Sequence, residues 1–395
     1  MSRWHDRNGG QRLFGTKAKI ALAQRAVDAK PRAAMAHFAL AGELFQIEDF
    51  VAGVDSFERG LAFMVPALRL YPPYVAALTA LGRADAALAV IEGLGDVPYE
   101  NADLLVERGC ALSRLKRSSE ACRDLRRALS MNPHSPKAAL ALTGLLIEQK
   151  DWHGLLELAQ DQLNTGSGSC PLVHGKIVGL IGLGRVEEAM RLTDFSTFVS
   201  VQIIKPPAEF SDLRAFNAAL STDLTSASKI RLSDVPRLRL TGGVQVEDLE
   251  HDSSPAMSAL MSILRREVDN YVGRSTGLRA EVLHGLMPPL TDLKAWALLL
   301  GPDDTQDSHY HLNSSVAGVY YVDAPAAVLS DESDAGCLVI PSEIKAIAPS
   351  AVHFIKPVPG RLVLFPGYIP HRTMATRTKE RRVSIAFDVL AADPL

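Results

Sequence analysis

Cysteine is scarce in this sequence: four residues in 395, at 110, 122, 170 and 337, with no Cys-x-x-Cys spacing. That excludes a disulfide framework and a cysteine-built zinc site, and suits reduced thiols. Long apolar runs are also missing; none approaches the roughly 20 residues that span a bilayer, so no membrane role is expected. Charge of one sign is not in excess. The formal net charge of −3 gives no electrostatic reason to expect nucleic acid or an anionic surface as a partner. Residues 1–15 are polar, without the apolar centre of a secretory signal, and read as a loose leader. These absences make a cytoplasmic location the expectation. Gly-x-Ser-x-Gly, a phosphate-binding loop and His-Glu-x-x-His are absent too, which leaves hydrolase readings without support.

What is present describes a globular chain with ample core, 47% hydrophobic and 22% charged, long enough for two or three domains. From 16 to about 203 it is rich in Ala and Leu at helical spacing. A small residue recurs at Gly53, Ala87, Ala121, Gly154 and Ala189, at intervals of 34, 34, 33 and 35 residues. Each follows a short polar turn, such as Ile47-Glu48-Asp49, Leu81-Gly82-Arg83 or Leu115-Lys116-Arg117. Helix, turn and helix with a small residue at the crossing is a helical hairpin, because a small side chain lets two helices approach.

This pattern resembles the tetratricopeptide repeat family. The third unit matches best, with Gly109, Leu112, Ala121, Leu125, Ala128 and Pro133; the first has Ala41, Phe57 and Gly60, and the others match mainly at the small residue. The resemblance implies about five repeats stacked as an α-helical solenoid with a concave face. Such a groove binds a protein or peptide, serves self-association, or is packed by its own chain.

The character changes at Val199-Ser-Val-Gln-Ile-Ile-Lys-Pro-Pro207, which is β-branched and ends in two prolines. A second domain is therefore placed over 208–395. It opens with helices at Asp212–Leu220 and Pro255–Val272, the latter capped by Ser254, with a short extended stretch at Leu238–Gly243 between them. Short strands then follow: Leu293–Leu300, His309–Leu312, Val316–Val322, Gly336–Ile340, Val352–Lys356, Gly360–Phe365, Arg372–Thr376 and Arg382–Val389. Eight strands separated by Pro, Gly and Asp suggest a barrel or jelly roll.

His309 and His311 are two apart, so on a strand both point to one face, the geometry two imidazoles need to converge on an ion. His371 from a distant strand adds a third. Three ligands on one face of an octahedron leave the other open, as in non-haem iron oxygenases. Arg382 begins the last strand, where its guanidinium fork suits a carboxylate, and Ser384 points the same way. Tyr320 and Tyr321 alternate, so one faces inward as a core aromatic or as a hydrogen-bond partner of a co-substrate.

Trp296, His309-x-His311, Ala317-Gly318-Val319-Tyr320-Tyr321, Gly360-x-Leu362-x-Leu364-Phe365-Pro366, His371 and Arg382-x-Ser384-Ile385-x-Phe387 together resemble a family of 2-oxoglutarate- and Fe(II)-dependent oxygenases. Phe216-Asn217-Ala218-Ala219-Leu220 and Gly243-x-Gln245 extend the resemblance upstream. It implies a double-stranded β-helix (a jelly roll, cupin-like) with supporting helices, hence an α+β multidomain chain. It also implies Fe(II) on His309, His311 and His371, and 2-oxoglutarate held by Arg382 and Ser384 with Tyr321 beside them. The activity implied is hydroxylation, with ascorbate as the assay reductant and a protein or peptide as substrate. His311 stands where the superfamily usually has a carboxylate. The third ligand is thus His311, water, or a carboxylate from elsewhere, Asp307 and Asp323 being nearest in sequence; a position opened to halide is a minor variant. Two other classes stay open: a catalytically inactive repeat scaffold, and a three-histidine iron dioxygenase that does not use 2-oxoglutarate.

Overall fold

The computed structural model describes residues 16–166, 168–225, 243–286, 291–330, 332–341 and 352–391. The expected leader at 1–15 and nearly all of the expected extended stretch Leu238–Gly243 lie outside the described residues. The chain forms two compact units, one ending at Gln149 and one running from Lys150 to Leu395.

The first unit is helical. Its elements are α1 (Thr16–Ala29), α2 (Ala34–Gln46), α3 (Phe50–Leu61), α4 (Tyr71–Ala80), α5 (Ala84–Glu92), α6 (Ala102–Arg114), α7 (Ser118–Met131) and α8 (Pro136–Gln149). Its helices pack in chain order as hairpins, α2 on α3, α4 on α5 and α6 on α7. The turns repeat more strictly than the small residues do. Glu48, Gly82, Lys116, Lys150 and Gly184 all have φ between 57° and 76° and stand 34 residues apart. At four of them the chain closes as a Schellman motif, for example through Arg117 N–H to Leu112 C=O at 2.9 Å.

The small residues sit where the helices touch. A Cβ on Gly53 would come within 2.5 Å of the Phe45 ring, and one on Gly109 within 2.7 Å of Leu125 Cγ. Gly109→Val should therefore destabilise this unit by about 2 kcal/mol through overpacking. Gly144→Ala, on the exposed side of α8 with open space around it, should stabilise it by about 0.5–1 kcal/mol through helix propensity. Denaturant unfolding of the two variants should show shifts of opposite sign.

The second unit begins with α9 (Trp152–Asn164), α10 (Cys170–Gly182), α11 (Val186–Arg191) and α12 (Phe195–Phe198), then β1 (Ser200–Ile203), α13 (Leu213–Thr225), β2 (Val244–Val246), α14 (Pro255–Gly273) and α15 (Gly277–Leu286). The strands and one short helix follow: β3 (Thr291–Leu300), β4 (Gln306–His309), β5 (Ser314–Asp323), α16 (Ala326–Ser330), β6 (Leu338–Ile340), β7 (His353–Ile355), β8 (Arg361–Pro366), β9 (His371–Thr373) and β10 (Arg382–Ala391).

Two antiparallel sheets form a jelly roll. One has the order β1-β8-β5-β10-β3-β2, the other β4-β9-β6-β7. Alternation along the central strand β10 sorts its side chains. Val383, Ile385, Phe387 and Val389 enter a core with Leu260, Ile263, Leu264 and Val268 of α14, while Arg382, Ser384 and Ala386 line a pocket. Ser254 caps α14 through Oγ to the Met257 N–H.

The repeat-like sequence and the compact units divide the chain at different places. Cys170, Val173, Ile177, Ala189 and Phe198 share a core with Ala317, Tyr321, Val363 and Phe365 of the sheet. Hydrogen bonds reinforce that packing: Tyr368 Oη donates to the Leu192 carbonyl at 2.7 Å and Tyr271 Oη to the Phe198 carbonyl at 2.6 Å. The last hairpins are thus part of the wall of the sheet unit. Among the described residues no helix is long and apolar enough to cross a membrane.

Candidate metal centre

His309 ends β4 and lies directly opposite His371 on β9 in the antiparallel register. Their ring centroids are 4.3 Å apart. His311 lies beyond the end of β4, in the loop to β5. The expected strand His309–Leu312 is therefore corrected: it runs Gln306–His309, and alternation along a strand is not what aims His311. Its backbone N–H donates to the Gly367 carbonyl at 2.8 Å. That docks the loop on the β8–β9 turn and brings its ring parallel to that of His371, at 5.0 Å and 3°. Gly367 makes the approach possible, since a Cβ there would collide with the Ser314 carbonyl.

The three histidines form the one group of His, Cys, Asp or Glu among the described residues suited to a metal, their ligand atoms lying within 4.8 Å of one another. Their hydrogen bonds explain how they are presented. His309 Nδ1 meets the Asp307 carbonyl at 2.7 Å and His371 Nδ1 the Ile369 carbonyl at 3.1 Å, while His311 Nδ1 lies 2.7 Å from Asp388 Oδ1 without the alignment of a hydrogen bond. The carbonyl acceptors beside His309 and His371 assign the proton to Nδ1 in those two rings and leave an Nε2 lone pair on each for a metal. His311 Nε2 and His371 Nε2 face each other at 3.2 Å. Burial, with the neighbouring His309 and His311, holds His371 well below the usual imidazole range, so it is neutral and able to ligate.

Neither Asp307 nor Asp323 joins this group. Asp307 offers His309 its backbone carbonyl, and Asp323 ends β5 beside a separate cavity shared with Glu380 and Arg381. The carboxylate at the site is Asp388, which sequence reasoning missed. Its signal was strand parity: Arg382, Ser384, Ala386 and Asp388 alternate onto one face of β10. Gln306 and Thr373, paired across β4 and β9, also line the pocket and were missed. His174 and His353 stand outside the histidine group, stacked on Tyr310 at 4.4 Å and on Phe195 at 4.0 Å.

The floor beyond the histidines carries one buried cation. Arg382 is 2% exposed. Its Nη1 donates to the Gly336 carbonyl at 2.9 Å, and its guanidinium carbon lies 6.0 Å from the Tyr321 ring centre. Its Nε and the Ser384 Oγ have no hydrogen-bond partner. Burial lowers the Arg382 pKa from its ordinary value, yet a guanidinium stays charged in proteins, so the positive charge has no counter-charge among the described residues. Burial pushes the Tyr321 phenol up to about 12, leaving it a neutral hydroxyl beside that charge. Tyr320 turns the other way, its Oη donating to Asn217 at 2.6 Å. Trp296, Phe365 and Leu338 complete the lining, with Phe365 edge-on to His371 at 4.7 Å.

Such a pocket offers three convergent imidazole nitrogens for a cation and, deeper in, an unfilled arginine and hydroxyl for an anion. Residues 294–388, which contain every one of these groups, match the family described as "Putative 2OG-Fe(II) oxygenase". This part of the chain carries an oxygenase domain of that kind. No curated protein matches the chain. Among solved structures, a Pseudomonas putida prolyl-4-hydroxylase is 17% identical, covering 50% of this chain and 96% of its own, at a TM-score of 0.36. A Trichoplax adhaerens prolyl hydroxylase, solved with a hypoxia inducible factor peptide fragment, is 15% identical over 52% of this chain and 92% of its own, at 0.37. YrrB, a tetratricopeptide-repeat protein, is 14% identical over 44% of this chain and 84% of its own, at 0.34.

Proposed function

Starting from an oxygenase domain at residues 294–388, we propose that the chain is an Fe(II)- and 2-oxoglutarate-dependent hydroxylase acting on a protein or peptide side chain. One observation carries the reading. Three imidazoles converge in the same pocket as a buried arginine that has no counter-charge among the described residues. A metal alone would satisfy the first feature, and a dicarboxylate chelated to that metal would satisfy both.

His309, His311 and His371 would hold Fe(II). Arg382 would take the far carboxylate of 2-oxoglutarate as a charge-assisted pair, with Ser384 Oγ adding a hydrogen bond and the Tyr321 hydroxyl beside them. Iron and 2-oxoglutarate together supply oxidative decarboxylation coupled to hydroxylation of a C–H bond. The protein positions them: Trp296, Phe365 and Leu338 narrow the pocket and keep water from the reacting centre. The protons of His309 and His371 stay on Nδ1, tied to the Asp307 and Ile369 carbonyls, so these two ligand nitrogens need no rearrangement when metal enters.

The substrate class rests on architecture. A stacked array of helical hairpins offers a surface for an extended peptide, and we assign the groove of the repeats to recruiting it, with self-association as a further use. A dioxygenase that ignores 2-oxoglutarate would have no use for a buried, unpaired Arg382 and Ser384.

The test is spectroscopic. Anaerobic Fe(II) protein should develop the visible charge-transfer band of a chelated 2-oxo acid when 2-oxoglutarate is added. Absence of that band in protein that has bound iron stoichiometrically would refute the co-substrate assignment. Peptide-stimulated succinate formation by the full chain then tests the substrate class; stimulation by small metabolites alone would contradict it.

A further inference from the structure

The three imidazoles are not backed alike. His309 and His371 each present Nδ1 to a backbone carbonyl, a neutral acceptor. His311 alone presents Nδ1 to a carboxylate, Asp388 Oδ1, at 2.7 Å. Both side chains are mostly buried, 13% exposed for His311 and 18% for Asp388. The loop that carries His311 has no strand pairing of its own at that residue. The carboxylate, by contrast, stands on β10, which is bonded along its length to both β3 and β5.

We infer that Asp388 is a positioning residue for the metal centre, holding His311 in its ligating orientation and placing behind it the negative charge the ligand set lacks. The inference rests on the metal reading above and goes beyond it in naming which ligand is charge-backed. A facial set of two histidines and a carboxylate partly neutralises a dication; three neutral imidazoles do not. Here the carboxylate would act through the imidazole. Its Oδ1, 2.7 Å from Nδ1 and without a hydrogen-bond partner among the described residues, is placed to take the Nδ1 proton when Nε2 binds metal, which fixes the tautomer and raises the basicity of Nε2, as carboxylate–histidine–metal arrangements do. Geometry gives the same answer from the other side. Nδ1 lies against Asp388 Oδ1 while the backbone N–H is bonded to Gly367, and in that position Nε2 is 3.2 Å from Nε2 of His371. One strand then carries both devices of the pocket: Arg382 and Ser384 toward the anion, and Asp388 four residues beyond Ser384 on the same face toward the metal, past Ala386.

Co(II) serves as the probe, titrated into the full-length protein and followed by its visible absorption. Asp388→Ala should weaken Co(II) binding on the order of 10–100-fold, the range typical of removing such a partner, and Asp388→Asn should fall between it and wild type. In the metal-free protein, ring proton–nitrogen spectra should show His311 as the Nδ1–H tautomer in wild type and in Asp388→Asn, and as a mixture in Asp388→Ala. A purely structural aspartate would leave that tautomer ratio unmoved. Should Asp388→Ala fail to fold, the isosteric Asp388→Asn decides, since it keeps an acceptor and removes the charge. Binding within about threefold of wild type in every folded variant overturns the inference. If wild type binds no Co(II) and His371→Ala changes nothing, the metal reading itself has failed, which is a different result.

Discussion

His371→Ala should abolish 2-oxoglutarate turnover and should also remove the stabilisation that metal gives to the sheet unit. His371 is 5% exposed, opposite His309 in register and edge-on to Phe365, so no neighbouring donor can take its place. Removing a ligand outright should cost more than the 10–100-fold that loss of a ligand's supporting partner costs. Saturation at 100 times the dissociation constant adds about 2.7 kcal/mol to wild type, or roughly 5–10 °C of thermal midpoint for a unit of this size. The variant should show none of that shift. Its metal-free stability should change by about 1 kcal/mol, the contribution of the Nε2–Nε2 contact with His311 at 3.2 Å. Succinate formation with Fe(II) and ascorbate, and thermal unfolding with and without Co(II), check both halves. Retained turnover would sink the assignment of His371. Loss of turnover with a collapsed metal-free fold would mean that His371 acts in packing instead.

The convergence of the three histidines is legible in the residues, but its physical cause is not. His309 and His311 do converge with His371, but through the docking of a loop on Gly367. Alternation on a strand predicts the direction of a side chain only where the strand persists, and β4 stops at His309. Asp388 was overlooked because its partner is set by tertiary register: Asp388 sits opposite Ala317, and nothing local links it to His311. Asp307 and Asp323 are the acidic residues nearest in sequence, which says little about nearness across a jelly roll. The inward face of β10, in contrast, was legible from Arg382 and Ser384 alone, since a period of two carries no ambiguity once one residue is fixed.

The fold divides the same way. Repeats show in sequence because each hairpin needs the same small residue and the same left-handed turn, and Gly82 and Gly184 advertise that turn while Glu48, Lys116 and Lys150 conceal it. What does not show is which surface covers each apolar stripe. Cys170, Val173 and Ile177 have helical spacing like any repeat, yet they pack on Tyr321 and Phe365. Hydrophobic burial is non-directional, so spacing reveals that a face is buried and not by what. β1 was read as a junction for the same reason: four residues of β-branched character mark an extended segment, and only the pairing of Ser200–Ile203 with β8 makes it a sheet edge.

Arg382→Met should lower affinity for 2-oxoglutarate and raise the stability of the metal-free protein, and the two opposite signs together identify the arginine's role. Truncating one partner of a buried, hydrogen-bonded charge pair costs about 2–5 kcal/mol, which is roughly 30-fold to several thousand-fold in the dissociation constant. Without 2-oxoglutarate the accounting reverses. The guanidinium is fully desolvated, its pKa is pushed down by burial, and its Nε finds no acceptor, so the folded state holds the charge at a cost. Methionine has similar length, needs no counter-charge and fits beside Tyr321 and Leu338. Loss of the bond to the Gly336 carbonyl offsets about 1 kcal/mol, so the net gain should be about 1–3 kcal/mol, within the range seen when buried charges give way to apolar residues. Arg382→Lys separates charge from shape: it keeps the cation and loses the fork, so affinity should fall by less than in Arg382→Met, with no gain in stability. Titration of 2-oxoglutarate into anaerobic Fe(II) protein and denaturant unfolding of metal-free protein measure the two effects. An arginine kept for the fold would give a destabilised Arg382→Met protein with unaltered affinity, whereas an arginine kept for an anion gives the opposite pair.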